Sequence, residues 1–304
     1  MSELIVAAAD SADYEAVLNL LFEGFPAAER AAVVKQARRL LAQRELDSSG
    51  LLAAYSQGKL VGAMLAVATH GAVGLVWPPQ IAQVPEFATV EDALIQATHQ
   101  RLKKQGVKLA QALLLPREIA LGTSLARNGY RHITRLLFHR RWLDDVPTDD
   151  LARSTALALH QFTVVDRQLF TSTLQRTYAG TLDCPELEGV RTIDEVIAGY
   201  QAQAEHDPCR WWLASLYREP VGVVLANATT EESAWEIVYV GIVPECRGHG
   251  LGGAVVQHVL IEAKLAGMQV VTLSVDRRNT PAIQLYRRLG FTVWDEREVF
   301  LAIF

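Results

Sequence analysis

Apolar and polar residues follow one plan twice along the chain. "LLAAYSQGKLVGAMLAVA", residues 51–68, and "WWLASLYREPVGVVLANA", residues 211–228, each predict two apolar strands joined by a polar turn, "SQGK" in one and "YREP" in the other. At an offset of about 160 residues, Val61, Gly62, Leu65 and Ala66 fall on Val221, Gly222, Leu225 and Ala226. A helical period over residues 90–105 stops at Gly106, and a second over 251–266 stops at Gly267. Each is followed by a strand-like run, "VKLAQALLL" and "MQVVTLSV". "LARNGY" and "YRRLGF" then repeat the end of a helix, a glycine C-cap and the start of a strand. The pattern predicts a duplicated α/β unit. The polar stretch over residues 143–154, with Pro147, marks the boundary, so domains of 1–146 and 147–304 are expected.

Composition narrows the function classes. The chain has 304 residues, 50% of them hydrophobic, with a formal net charge of -5, which fits a soluble two-domain protein. The mild acidity and the absence of a basic cluster give no support to a nucleic-acid partner. No apolar run approaches the roughly 20 residues of a membrane span. Glu3 and Asp10 stand where a secretory signal would be basic, so a cytoplasmic protein is expected. Cys184, Cys209 and Cys246 form no paired motif and read as reduced thiols. His206 and Cys209 make half of a metal motif without a second half, so no metal is expected. Oligomeric state is left open.

The chemistry concentrates in "VGIVPECRGHGLGG", residues 240–253, between a strand pattern and a helix pattern. Gly248, Gly250 and Gly253 satisfy G-x-G-x-x-G, and Asp276 ends the next strand, so a dinucleotide-binding oxidoreductase is one reading. Three features weigh against it. Residues 244–247 separate the strand from the first glycine; fewer than thirty residues follow Asp276; and those residues carry a pattern of their own. In "NTPAIQLYRRLGF", Asn279 suits an N-cap with Pro281 in the first turn, and Ala282, Leu285, Tyr286 and Leu289 share one helical face.

The two motifs together resemble the GNAT superfamily of N-acyltransferases. Arg247, Gly250 and Gly252 fill its R/Q-x-x-G-x-G/A phosphate loop, and Asn279, Ala282, Leu285, Tyr286, Gly290 and Phe291 match its N-x-x-A-x-x-L-Y-x-x-x-G-F segment. The resemblance implies two tandem α/β (α+β) domains, each a mixed, mostly antiparallel twisted sheet flanked by helices. It implies acetyl-CoA, or another acyl-CoA, as co-substrate and a small-molecule or peptide amine as acceptor. The first copy has "LVWPPQIAQVPEF" at the loop position, with Glu118 and Leu125 where the second has Asn279 and Tyr286. It reads as a degenerate copy.

The residues suit that chemistry. Backbone amides of Gly248, His249, Gly250, Leu251, Gly252 and Gly253, at the positive end of a helix, can surround a pyrophosphate, and Arg247 adds charge. The resemblance implies that the strand through Val240, Gly241 and Ile242 diverges from its parallel neighbour and holds the pantetheine arm, with a bulge expected at Gly241. It also implies Glu236 as general base and Tyr286 as general acid; read from the residues alone, Glu236 is equally an ordinary strand-end carboxylate. Asn279 contacts the coenzyme, caps the helix, or does both. Tyr178, Asp183 and Glu186 are candidates for gripping a cationic amine, and Trp211, Trp212 and Trp294 read as core or pocket lining. A coenzyme A-binding regulator without catalysis is the other functional class.

Overall fold

The computed structural model describes residues 4–84, 87–147, 157–162, 167–203, 207–229 and 233–304. His206 of the half metal motif lies outside them, as does much of the expected domain boundary. Two compact units form, residues 1–133 with 298–304 and residues 134–297. They do not divide at 146/147. Strand pairing sets the division, whereas the composition near Pro147 records only a polar stretch of chain.

The first unit contains β1 (Leu4–Ala8), α1 (Tyr14–Leu21), α2 (Ala27–Ala42), β2 (Leu51–Ser56), β3 (Lys59–Thr69), β4 (Val73–Ile81), α3 (Phe87–Lys104), β5 (Leu109–Leu114) and α4 (Gly122–Arg127). The chain passes into the second unit within β6 (Arg131–Trp142) and returns within β12 (Thr292–Ile303). Strands β1 to β5 are neighbours in sequence order, and β5 pairs antiparallel with Glu298–Ile303 of β12. Among the described residues, all these pairs are antiparallel except β4 with β5. One face packs Met64, Val76 and Ala110 against Val90, Leu94 and Ile95 of α3. The other packs Leu51, Ala53 and Ala63 against Val17 and Leu18 of α1 and Val34 of α2.

The second unit contains β7 (Leu157–Gln161), α5 (Arg167–Tyr178), α6 (Ile193–Ala202), β8 (Trp211–Leu216), β9 (Glu219–Ala228), β10 (Ala234–Ile242), α7 (Leu251–Leu265), β11 (Val270–Asp276) and α8 (Thr280–Arg288). Its strand order is β6-β11-β10-β9-β8-β7, and among the described residues only β10 with β11 is parallel. A mixed, mostly antiparallel sheet is therefore observed, and a doubly wound parallel sheet is not. Strand β9 is buried on both faces. Val224 and Ala226 pack under α7 with Val255, Val256 and Val259, while Val223 and Leu225 pack under α5 and α6 with Phe170, Leu174 and Ile197. Trp211 and Trp212 are core residues on opposite faces, whereas Trp294 is half exposed.

Turn chemistry explains the connections. Gln57 and Gly58 take positive φ angles of 52° and 74° between β2 and β3, and Tyr217 and Arg218 take 51° and 72° between β8 and β9. Two consecutive left-handed residues make the hairpin turn whose twist matches that of paired strands. The helices of 87–104 and 251–265 end close to Gly106 and Gly267, both with positive φ, as the pattern predicts.

Candidate active site

Strands β10 and β11 pair only from Ala234 to Ile237, against Val270 to Leu273. Beyond that point β10 continues alongside β9, from Tyr239 opposite Leu225 to Ile242 opposite Gly222. The two parallel strands thus share no pairing over their last residues, and one edge of Val240 to Ile242 is left without a strand partner on the β11 side. A bulge between Ile237 and Tyr239 starts this departure. The bulge is therefore at Val238 and not at Gly241. Gly241 is small for another reason: a Cβ there would lie 2.6 Å from the Tyr239 hydroxyl and 2.7 Å from Thr177 of α5. The helix packs directly on the strand at this point.

The segment after β10 makes a single turn over Pro244–Cys246 and then a left-handed loop. Gly248 and Gly250 both have φ of +80°, a conformation that side chains with a Cβ rarely adopt, and Gly250 is the N-cap of α7. Among the described residues, the amides of Gly248, His249 and Gly250 donate to no backbone carbonyl. Leu251 and Gly252 begin the helix, where amides have no partner within it. A run of free N–H groups at the positive end of a 15-residue helix is suited to an anion. His249 is exposed. Gly252 is close to α8: a Cβ would meet Leu285 at 3.3 Å.

Arg247 does not spend its guanidinium on this loop. It donates to the carbonyls of Ile242 (2.9 Å), Gly180 (3.0 Å) and Thr177 (2.9 Å). The last of these lies in the C-terminal turn of α5, where the helix dipole favours a cation. Arg247 ties the loop to α5, and Arg176 adds an ion pair to Glu245 beside it.

Glu236 lies in the paired part of β10, opposite Asn227 on β9 and Thr272 on β11. Its neighbours Trp235 and Ile237 pack towards α7, while Val238 and Tyr239 pack towards α5 and α6. Strand alternation therefore puts Glu236 on the α5/α6 face. It is half-buried and has no hydrogen bond or ion pair among the described residues; burial alone pushes its pKa up. A carboxyl raised in this way is suited to a general base near neutral pH. Tyr239 stands further along the strand, its hydroxyl 2.8 Å from Thr177 Oγ1, and Tyr178 and Tyr200 share a hydrogen bond of 3.0 Å next to it.

Tyr286 is the one buried residue of α8. Its ring touches Phe291 and His139, with centroids 5.7 and 6.0 Å away. Burial, reinforced by the negative charge of Asp183, raises its pKa, so the phenol keeps its proton at neutral pH. Asn279 is the N-cap of α8, its side chain accepting from the Ala282 amide at 3.3 Å, with Pro281 in the first turn. The cap is observed directly. His139 comes from β6, opposite Leu273. It is 3% exposed, and burial lowers its pKa. The sequence pattern did not single it out, because a strand that reads as part of the first domain pairs in the second unit.

Residues 179–192 connect α5 and α6 and lie against the end of β11. The Asp276 amide donates to Asp183 (2.7 Å), and the Cys184 amide donates to Asp276 (3.1 Å). Arg278 donates to both carboxylate oxygens of Glu186 (2.7 and 2.9 Å) and to Asp276 (2.6 Å). Thr134 also donates to Asp276, at 2.6 Å. Burial would raise the Asp276 pKa, but the bonds from Arg278, Thr134 and the Cys184 amide outweigh it and hold the carboxyl below the usual range. Asp276 thus serves as an internal anchor, which removes it as the acid of a dinucleotide site. Glu186 is committed to Arg278 and Tyr178 to Tyr200. Of the three residues considered for the amine, Asp183 is left, its charge acting on Tyr239 and Tyr286.

The first unit repeats the divergence without the loop. β4 and β5 pair only from Val73 to Leu75. Where β10 has Val240 opposite Val224, β4 has Pro78 and Pro79 opposite Met64. Proline has no N–H, so this strand edge lacks donors at those two positions.

Residues 176–291, within the second unit, match the model of the Acetyltransferase (GNAT) family. Over the whole chain, the fold is that of a "GCN5-related N-Acetyltransferase from Sphaerobacter thermophilus", with a TM-score of 0.63 over 99% of this chain and 95% of that one, at 18% identity. Among relatives in sequence, the "Mycothiol acetyltransferase" of Arthrobacter sp. (strain FB24) is 31% identical over 178 residues, 56% of this chain and 53% of that protein. The "Mycothiol acetyltransferase" of Mycolicibacterium gilvum (strain PYR-GCK) is 30% identical over 183 residues, 58% of each. The matched stretch spans little more than half the length of these relatives. No described helix is long and apolar enough to cross a membrane.

Proposed function

We propose that the second unit is an N-acetyltransferase that moves the acetyl group of acetyl-CoA to the primary amine of a small molecule, in the cytoplasm. The observation that carries this reading is the run of free amides from Gly248 to Gly252, set at the open end of the divergence between β10 and β11. The fit to coenzyme A is chemical. Five N–H groups at a helix start match a pyrophosphate, and the unpaired edge of Val240, Gly241 and Ile242 matches the amides of a pantetheine arm. Names of the relatives favour an acceptor of the mycothiol type, namely mycothiol without its acetyl group.

Acetyl-CoA supplies an acyl carbon activated as a thioester. Glu236 accepts a proton from the ammonium form of the amine, so that the nitrogen lone pair is free to form the new C–N bond, and the nitrogen's second proton passes to solvent as the C–S bond breaks. An N–H of the 240–242 edge donates to the carbonyl oxygen as negative charge grows there. The buried Tyr286 hydroxyl gives its proton to the sulfur as the C–S bond breaks, and it recovers one from solvent afterwards. The first unit, with prolines at the strand edge and no glycine loop, holds no acyl-CoA in this scheme.

Calorimetric titration and thermal-shift measurements with acetyl-CoA and NADH test the reading. Binding of acetyl-CoA and not NADH, with thiol release on adding mycothiol amine or another primary amine, is expected. NADH binding without acetyl-CoA binding overturns it. Acetyl-CoA binding without transfer to any amine in a broad panel would leave a coenzyme-binding regulator.

A further inference from the structure

His139 of β6 is a buried titratable group set against the tyrosine of α8. It stands opposite Leu273 of β11, and its ring centroid lies 6.0 Å from that of Tyr286. Its Nδ1 is 3.2 Å from the Leu137 carbonyl oxygen, which can only accept. Nδ1 therefore carries the proton of the neutral ring, and Nε2 is bare. Burial, together with Arg287 of α8, lowers its pKa and keeps the ring neutral at rest. The duplication supplies an internal comparison. At the offset of the repeat, about 160 residues, Leu273 falls on Ala112 and Tyr286 falls on Leu125. In the first unit the residue opposite Ala112 is Phe300. The copy with the glycine loop thus has histidine and tyrosine where the copy without it has phenylalanine and leucine. Phe300 and Leu125 are buried in one cluster, so an apolar pair satisfies the packing of this place. Both positions turn polar together where the loop is present.

We propose that His139 is a positioning residue for acyl transfer that acts through Tyr286, neutralising the phenolate left when the hydroxyl protonates the coenzyme sulfur. The inference rests on the acetyltransferase reading above. A free phenol holds its proton more tightly than a thiol does, about 10 against about 8.5 on the pKa scale. Burial and the charge of Asp183 tighten the hold of Tyr286 further. Proton transfer to the sulfur is therefore uphill unless the phenolate is relieved at once. As the Tyr286 O–H bond breaks and the S–H bond forms, the new negative charge favours the protonated form of an imidazole a few ångströms away. Nε2 takes a proton from solvent and passes it to the phenolate oxygen, which restores both groups. The second amine proton, released to solvent as the C–S bond breaks, balances the one taken up. The proton that Tyr286 recovers from solvent thus travels through His139.

The test uses the full chain with His139→Gln and His139→Asn, each alone and combined with Tyr286→Phe. Both replacements keep a neutral N–H donor and cannot take up a proton. His139→Gln is expected to lower kcat by about 10²-fold, while KM for acetyl-CoA and for mycothiol amine stays within about threefold. In the Tyr286→Phe background the same change should alter kcat by less than about twofold, because the hydroxyl it serves is absent. His139→Asn gives the same pattern should His139→Gln fail to fold. Unchanged kcat in the single variants, an equal loss in both backgrounds, a rise in KM without a fall in kcat, or wild-type kcat in Tyr286→Phe would each overturn the proposal. Nitrogen NMR of the imidazole needs no turnover. Tyr286→Phe keeps the aromatic ring, so a shift of the His139 Nε2 resonance reports the lost hydroxyl, and an unmoved resonance also overturns the proposal. A wild-type protein without acetyl transfer removes the acetyltransferase reading and the role of His139 in it, while a moved resonance would still establish that the two groups are coupled.

Discussion

Replacing Gly248 and Gly250 together with alanine tests the phosphate cradle most directly. A Cβ at either position meets nothing within 4 Å, so no steric clash arises and the effect is confined to the backbone. Both residues sit at φ +80°, where an L side chain costs about 1–2 kcal/mol, or about 2–4 kcal/mol for the pair. If the loop keeps its shape, the protein loses that much stability. If it relaxes instead, the amides turn away, and the same energy appears as a roughly 30- to 700-fold weaker affinity for acetyl-CoA. Thermal shift separates the two outcomes. Ligand at a hundred times its Kd stabilises the wild type by about 2.7 kcal/mol, and a 30-fold weaker Kd reduces this to about 0.9 kcal/mol. Acetyl-pantetheine, which has no pyrophosphate, should lose little affinity. Gly253→Ala is the control: Gly253 has ordinary helical geometry and space for a Cβ, so a gain of about 0.5–1 kcal/mol with intact binding is expected. Unchanged stability and unchanged acetyl-CoA affinity in the double variant would refute the reasoning, and so would equal losses for both ligands.

Glu236→Gln should lower kcat by about 10²–10⁴-fold with acetyl-CoA affinity intact, measured by thiol release and calorimetry. Burial raises the Glu236 pKa in the folded state, so its contribution to stability is present below the ordinary carboxylate pKa and lost as pH rises through the raised value. The Gln variant should accordingly match the wild type in acid and melt higher at pH 7–8, with the reverse order counting against a desolvated carboxylate. Tyr286→Phe keeps the ring contacts to Phe291 and His139 and should lower kcat by roughly 10²-fold or more while the melting temperature barely moves; unaltered kcat would move the acid role elsewhere. Gly241→Ala drives a methyl group into Tyr239 and Thr177 and should cost about 1–3 kcal/mol in a denaturant titration.

Local physics determined what could be read without coordinates. Glycines at 248, 250, 267 and 290 take positive φ because only a residue without a Cβ does so cheaply. Asn279 caps its helix through a bond spanning three residues, and apolar periodicity placed Tyr286 on the inner face of α8. These features depend on neighbours within one or two turns, so the chain itself displays them. Partners distant in sequence were decided by the tertiary structure alone. An apolar strand looks the same whichever edge it joins, so the pairing of β6 with β11 could not be read. That pairing brings Thr134 to Asp276 and His139 to Tyr286 across more than 130 residues. The bulge at Val238, the three carbonyls that take the Arg247 guanidinium and the fork of Arg278 to Glu186 have the same origin. A bulge or an ion pair is specified by what lies opposite, and only folding brings that opposite surface into place.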